Sequence, residues 1–301
     1  MSAAPAIRTL YDLPGPRGRA VNLIVSAVSL LAITAGVLWV MAALNEKGQL
    51  SADKWQPFIT ADMWRTYLLP GILGTLQAAA LSVVLAMVLG ILLGVGRLAS
   101  NRALRYISGA FIEFFRAIPL LILMIFCFQL FANNSLFPSE NLALAAVVTG
   151  LTLSNGAVIA EIVRAGIRAL PRGQQEAAMA LGLGGGQTTR LILLPQAITA
   201  MLPPLVAQLV VALKDTALGY QITYVEAVRQ GIQAGSAYAN YIPALLVIAA
   251  VMISINLALS RLATVVEKRI RNGRKTAALP GPETVLVVQE AEESVLPASR
   301  T

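Results

Sequence analysis

Six long apolar runs divide this chain, and polar stretches separate them. A helix crossing the hydrocarbon core of a bilayer needs about 20 apolar residues at roughly 1.5 Å each. Ala20–Leu44 and Leu68–Gly96 meet that length without a single charge. Ile107–Ala132 carries Glu113 and Arg116, and Leu142–Ile167 carries Glu161 and Arg164 near its end. Ile198–Leu213 is shorter, with a re-entrant or buried segment as its alternative, and Ile242–Val266 contains Arg261 alone. The pattern predicts an all-α integral membrane protein with about six transmembrane helices. The outer loop 45–67 brings Trp55, Trp64 and Tyr67 close to the second span, where aromatic side chains favour the membrane interface.

Charge then orients the spans. With the N-terminus inside, 17 of the 23 Lys and Arg residues fall on the cytoplasmic side and four in outer loops, which is the bias expected of cytoplasmic loops. Arg116 and Lys214 lie within or at the edge of spans. Both termini are therefore expected in the cytoplasm of a cell whose membrane this multi-pass chain crosses. Residues 1–19 read as a basic cytoplasmic segment and 20–44 as a retained helix, since the apolar run is too long for a signal peptide and no Ala-x-Ala site follows. Residues 267–301, rich in Pro and Glu, read as a cytoplasmic disordered tail.

Composition narrows the chemistry. The 301 residues are 57% hydrophobic and 13% charged, with no His and one Cys. Lack of His removes zincins and Ser-His-Asp or Cys-His nucleophile systems, and one Cys removes a disulfide framework. No metal or cofactor site is expected. The net charge of +8 reads as a topology record, so no nucleic-acid partner is expected. Gly94-x-Gly96-x-x-Ala99 ends a lipid-spanning run and does not open a dinucleotide-binding βαβ unit. Gly90-x-x-x-Gly94 permits close approach of a second helix, and Cys127 reads as an inert packing residue.

About 30 residues, 168–197, link the fourth and fifth runs. Pro171 suits a helix start, Gln174–Leu183 is rich in good helix formers and Gly182 suits a C-terminal turn. Gln187–Leu194 predicts a second short helix stopped by Pro195. Glu176-Ala177-Ala178, Gly182 four residues later, then Ile192, Leu194 and Pro195 resemble the EAA loop of ABC importer permeases. The resemblance runs from about Trp64 to Glu267 and is to the polar amino-acid uptake (HisM/GltK-like) family. Thr75–Gly90, Phe115–Leu123, Ala160–Ile167, Leu202–Gln208 and Lys214–Leu218 carry it. The leader Leu10–Arg19 is similar to GluD-type subunits of actinobacterial glutamate uptake systems.

That resemblance implies a five-helix type I importer core over 68–266, with 20–44 as an added helix. It implies that the loop docks on a separate ATPase through Gln174, Glu176, Ala177, Ala178, Gly182, Leu183 and Arg190. No G-x-x-x-x-G-K-[ST] motif occurs, so ATP is used by that partner and this chain is not itself an enzyme. Two ATPase copies, a second homologous permease and an extracytoplasmic substrate-binding protein complete the implied assembly, which carries an amino acid, glutamate foremost, by alternating access. Where family members have a Ser or Thr cap this chain has Gly184, followed by Gly185 and Gly186, which predicts a more mobile turn. Ala217 likewise stands where the family has Ser.

Charged groups in spans usually face a partner or a cavity. Glu113–Arg116 and Glu161–Arg164 are spaced i,i+3 and are expected to pair on their own helices. Pro119, Pro203 and Pro204 free backbone carbonyls one turn earlier. Arg116, Pro119, Glu161, Arg164, Lys214, Asp215 and Thr216 are the candidate lining of a translocation path, with Arg116 and Lys214 giving it a positive potential. The alternative to an importer subunit is a self-sufficient secondary transporter or channel, which calls for inverted repeats and a mid-membrane ion site. An intramembrane enzyme finds no acid–base constellation.

Overall fold

A computed structural model describes residues 15–275, so the leader before Gly15 and the tail beyond Lys275 lie outside the described residues. Every described element is helical. The chain divides after Thr60 into two units. The first holds α1 (Pro16–Glu46), which starts at Gly15 with Pro16 in its first turn, where a missing N–H is harmless. None of its residues is buried. The uncharged run Ala20–Leu44 makes it apolar on all sides, as a membrane span requires.

The second unit is built from α2 (Leu69–Gly96), α3 (Arg102–Ala117), α4 (Leu120–Asn133), α5 (Ser139–Arg168), α6 (Arg172–Ala180), α7 (Leu194–Asp215), α8 (Ala227–Ala237) and α9 (Tyr241–Lys275). A helical turn and a π stretch from Ala61 extend α2 into a 36-residue span. Among the described residues, five helices are long and apolar enough to cross a membrane, and α3 with α4 forms a broken sixth candidate.

The single third span expected over Ile107–Ala132 is not formed. Helices α3 and α4 meet at 102°. Ile118 has φ −82° and ψ 126°, and Pro119 has φ −57° and ψ 129°. The ring of Pro119 drives the preceding residue out of the helical region, and two successive extended residues turn the chain fully. Hydropathy alone could not show this, because the apolar run continues through the break. Pro195 also departs from expectation. It does not stop a helix but sits in the first turn of α7, behind a π stretch Thr188–Leu193. The helical path continues beyond α7 through a 3₁₀ stretch to Ile222, so the fifth span runs Ala200–Ile222. Helix α9 likewise runs to Lys275, past the expected start of the tail at 267; Glu, Lys and Arg are good helix formers and extend it.

Helix α5 is the centre of this unit. It packs on α2, α4, α7 and α3. One cluster joins Ala78 of α2, Met124 and Cys127 of α4, and Val147 and Leu151 of α5. A second joins Ala86, Ile159, Val163, Leu193, Met201 and Leu205 across α2, α5, the residues just before α7, and α7. Cys127 is buried in the first cluster, in the packing role expected of it. On α2 the buried positions Gly71, Thr75, Ala78, Ser82, Ala86, Gly90 and Gly94 recur every three or four residues. They form one small-residue stripe, the means by which helices approach where lipid offers no hydrophobic drive. A Cβ on Gly90 would lie 2.9 Å from the Gly156 carbonyl, and one on Gly94 would lie 2.7 Å from that of Ala160.

At the end of α7 remote from α6, the chain returns against α2. Thr223 turns in the left-handed region at φ 63°. The Tyr224 hydroxyl donates to the Gly74 carbonyl at 2.7 Å, and the Ala227 amide donates to Thr75 Oγ1 at 3.1 Å. Glu226 caps α8, its carboxylate accepting from the amides of Val228 (2.8 Å) and Arg229 (2.6 Å). The side chain is fully buried. Burial pushes its carboxyl up to about 7, against the pull of those two amides and the Arg229 charge. The Tyr224 phenol is pushed up to about 12 by burial and by neighbouring Glu226.

Two outcomes are expected. Gly94→Val should destabilise the purified chain by about 1–3 kcal/mol through overpacking, while Leu92→Val on the exposed face leaves the thermal midpoint nearly unchanged. For Glu226, the folded state holds the proton more tightly than the unfolded chain. Its contribution to stability is therefore full at acid pH and is lost as pH rises through about 7. Hydrogen exchange at the α8 amides, corrected for intrinsic rates, should quicken from about pH 5 to about pH 8, and Glu226→Gln should flatten that dependence.

Candidate functional site

The loop singled out by its EAA pattern forms a short helix standing off the end of α5. Pro171 ends the connection in extended geometry, with φ −57° and ψ 133°, and α6 follows as Arg172–Ala180. Gly182 terminates it at φ +79°, its amide donating to the Met179 carbonyl while the Leu183 amide donates to Ala178. This is a glycine-closed C-terminus with reversed chain direction. Ala178 is buried at 3% exposure and anchors the helix on its own protein. Gln174, Glu176, Ala177, Gly182 and Arg190 are exposed, and Leu183 is half-buried. Met179 and Leu181 are also exposed, at 51% and 82%. Helix α6 thus offers a small-residue and apolar surface with one carboxylate.

Helix α6 is tied back to the body. It packs on the Thr188–Leu193 stretch, and Gln196 Nε2 donates to Gln174 Oε1 at 3.2 Å. The Gly184–Gly186 turn is less free than its composition suggests. Gln187 Oε1 accepts from the Gly184 amide at 3.0 Å, Thr189 Oγ1 donates to the Gly185 carbonyl at 2.9 Å, and buried Thr188 follows directly.

Near α6, at the ends of α2 and α5 on its side of the protein, lies a charge node. Glu161 Oε2 accepts from Arg164 Nε (2.8 Å) and Nη2 (2.6 Å), so the expected i,i+3 pair exists. The second expected pair does not. Glu113 binds Arg97 Nη2 at 2.6 Å, and the other arm of Arg97 donates to Glu161 Oε1 at 2.7 Å. Among the described residues no Glu113–Arg116 ion pair forms. Arg97, just past the end of α2, clamps α3 to α5 through one guanidinium, whose planar fork suits two carboxylates at once. Sequence spacing gave no signal for this contact, because Arg97 and Glu161 are 64 residues apart.

The candidate path residues separate into two groups. Arg116 ends α3, is exposed and adds to the positive field around Glu161. Exposed Pro119 makes the break above it. Glu161 and Arg164 complete this first group, on the α6 side. Exposed Lys214, half-buried Asp215 and buried Thr216 lie at the far end of α7. Thr216 Oγ1 donates to the Leu213 carbonyl at 2.7 Å. Antiparallel α5 and α7 place Gly166 on Met201 and join Asn155 to Gln208. Lys214 is therefore displaced by about 15 Å along the axis from the level of Glu161. Between the groups sits a polar pair that sequence reasoning passed over: Gln208 Nε2 donates to Asn155 Oδ1, and Asn155 is buried. Thr152, one turn away, has a buried hydroxyl oxygen with no hydrogen-bond partner among the described residues. Two amides on facing spans were a usable signal, since hydrogen bonding between helices favours such pairs in lipid.

Comparison with known proteins follows the same outline. Residues 86–272 match the family described as binding-protein-dependent transport system inner membrane component. The chain is 56% identical over 231 residues to the glutamate transport system permease protein GluD of Corynebacterium glutamicum, covering 77% of this chain and 85% of that protein. It is 32% identical to the glutamate/aspartate import permease protein GltK of Escherichia coli, covering 67% and 93%. A crystal structure of an amino acid ABC transporter with histidines superposes with a TM-score of 0.60 at 29% identity, covering 67% and 92%. An inward-facing methionine ABC transporter, MetNI, shares the fold at a TM-score of 0.58 and 23% identity, covering 71% and 99%. These likenesses favour an importer permease over a self-sufficient secondary transporter. The chain belongs to the family of binding-protein-dependent inner membrane components, the membrane-spanning permeases of ABC importers.

Proposed function

We propose that this chain is the permease subunit through which an ATP-driven importer passes an anionic amino acid, glutamate foremost, across the bacterial cytoplasmic membrane. The observation that carries the reading is α6: an exposed helix, anchored by buried Ala178 and joined by three residues to the central helix of the fold. Small Ala177 seats closely in a groove, Met179 and Leu181 bury apolar surface there, and Glu176 faces a basic group. The partner is an ATP-binding-cassette subunit in two copies. A second homologous permease and an extracytoplasmic binding protein complete the assembly. Both termini of this chain lie in the cytoplasm.

The mechanism is alternating access. Closure of the ATPase dimer displaces α6. Helix α5 moves with it and carries Glu161 and Arg164, because the connection between α5 and α6 is only three residues long. The node of Arg97, Glu113, Glu161 and Arg164 then rearranges at the inner ends of α2, α3 and α5. Arg116 at the inner end and Lys214 at the outer end supply positive potential to a carboxylate-bearing substrate. The choice of glutamate is supported by the similarity to a glutamate permease at 56% identity.

Glu176→Lys should weaken co-purification of the ATPase subunit and its substrate-stimulated hydrolysis by about tenfold or more, as reversal of a docked charge does. Normal association and normal hydrolysis would refute docking through α6. Arg116→Gln should lower glutamate uptake by proteoliposomes of the assembled transporter by about fivefold. Unchanged uptake with an unchanged substrate profile would remove Arg116 from the path.

A further inference from the structure

A cleft of about 510 Å³ opens beside the charge node, lined by Arg97, Arg102, Arg105, Tyr106, Glu113 and Arg168 among others. The four guanidiniums come from three places in the chain: the end of α2, the first turns of α3 and the last residue of α5. Arg97 is spent on Glu113 and Glu161. Arg105 gives one donor to the Ala99 carbonyl at 3.1 Å. No carboxylate pairs with Arg102, Arg105 or Arg168 among the described residues. Three cations thus converge on one cleft with a single, already engaged acid beside them. Like charges so placed repel unless an anion stands between them.

The surface beside the cleft says what kind of anion. Helix α3 is turned 102° from α4, and so lies across the direction in which α4 runs. Ser108 and Ile112 face the protein. The cleft-lining Arg102, Arg105, Gly109 and Glu113 recur every three or four residues along a second face. A third face exposes Ile107 at 65% and Phe114 at 61%, with Tyr106 at 79% on the cleft margin. A helix that starts on a basic face beside the end of α2 and also exposes an apolar face has the form of one that meets headgroups and acyl chains together. A free phosphate would use the arginines and leave Ile107 and Phe114 in water. A phosphodiester carrying acyl chains uses both.

We propose that this cleft is a binding site for an anionic glycerophospholipid in the leaflet on the α6 side of the membrane. The phosphodiester sits among Arg102, Arg105 and Arg168, Tyr106 donates at the headgroup level, and the acyl chains run along Ile107 and Phe114. A zwitterionic choline lipid brings its own cation into a cleft that already holds three and is disfavoured. Basic pockets between membrane helices on the inner side bind anionic headgroups on the same physical grounds. The site depends on the placement of α3 and not on docking of an ATPase at α6.

The test uses the delipidated full-length chain in detergent. Native mass spectrometry measures retention of phosphatidylglycerol, of phosphatidylcholine with the same acyl chains, and of inorganic phosphate. Phosphatidylglycerol should be held about tenfold more tightly than phosphatidylcholine. Single changes of Arg102, Arg105 or Arg168 to Gln should each weaken it about fivefold, and the triple change about a hundredfold. The triple change to Lys, which keeps the charge, should retain most of the preference, and it also serves if the Gln triple fails to fold. Arg102→Gln alone, at an exposed position, keeps the test readable in either case. A triple Gln variant that keeps the preference would overturn the proposal. So would inorganic phosphate that displaces the lipid at millimolar concentration, which marks a free-anion site. Loss of ATPase co-purification with lipid retention intact would assign the cleft to a protein partner and overturn it as well.

Discussion

The approach of α2 to α5 is the contact on which the rest of this fold depends. In lipid, two helices gain nothing by hiding apolar side chains from water, so they associate only as closely as their surfaces permit. Gly90 and Gly94 meet the backbone of Gly156 and Ala160 with no room for another carbon. That seam fixes α5 in the middle of the unit, and α4, α7 and α3 then pack around it. It also sets the distance over which Arg97 can reach. Only because the end of α2 lies against α5 does its guanidinium span Glu113 and Glu161 together.

From that position α5 links three parts of the molecule. Its middle joins α7 through Asn155 and Gln208, its last third carries Glu161 and Arg164 of the charge node, and its end leads through Pro171 into α6. Ion pairs half-sheltered at the ends of spans are worth little as pure stability, since desolvation offsets much of their attraction. Their geometry restrains more than it stabilises. A guanidinium with two carboxylates on two helices holds those helices in one arrangement and releases both when either moves.

Local features of this chain were legible in its sequence, and long-range ones were not. The α6 helix, its Gly182 terminus, the Glu161–Arg164 pair and the close approach at Gly90 and Gly94 all follow from spacing on one helix or one turn. Pro119 marked the place of a break, but the apolar run on both sides of it concealed a 102° turn, because hydropathy counts residues and not their direction. The Arg97 bridge was hidden for a different reason. Arg97 sits where any basic residue satisfies the positive-inside bias, so its charge points to no particular partner. Pro195 misled in the opposite sense: a proline within the first turn of a helix removes an N–H that has no partner in any case.

The three consecutive glycines 184–186 bear on how firmly α6 is joined to the rest of the protein. Gly184 caps less well than Ser, though the difference is only a few tenths of a kcal/mol. A slack turn would let α6 shift without moving α7. The Gln187 and Thr189 side chains instead bond the backbone of the turn, with Thr188 buried between them. On the other side, a Cβ on Gly185 would lie 3.3 Å from Ser100 Oγ, so the turn rests against the link between α2 and α3. A bulkier residue there would push against that link. The absent side chain lets the turn lie close to the same helix ends that Arg97 ties together. Helix α6 is therefore joined to those helix ends by two routes, through α5 and through the glycine turn, and the glycines contribute contact where composition suggested only freedom.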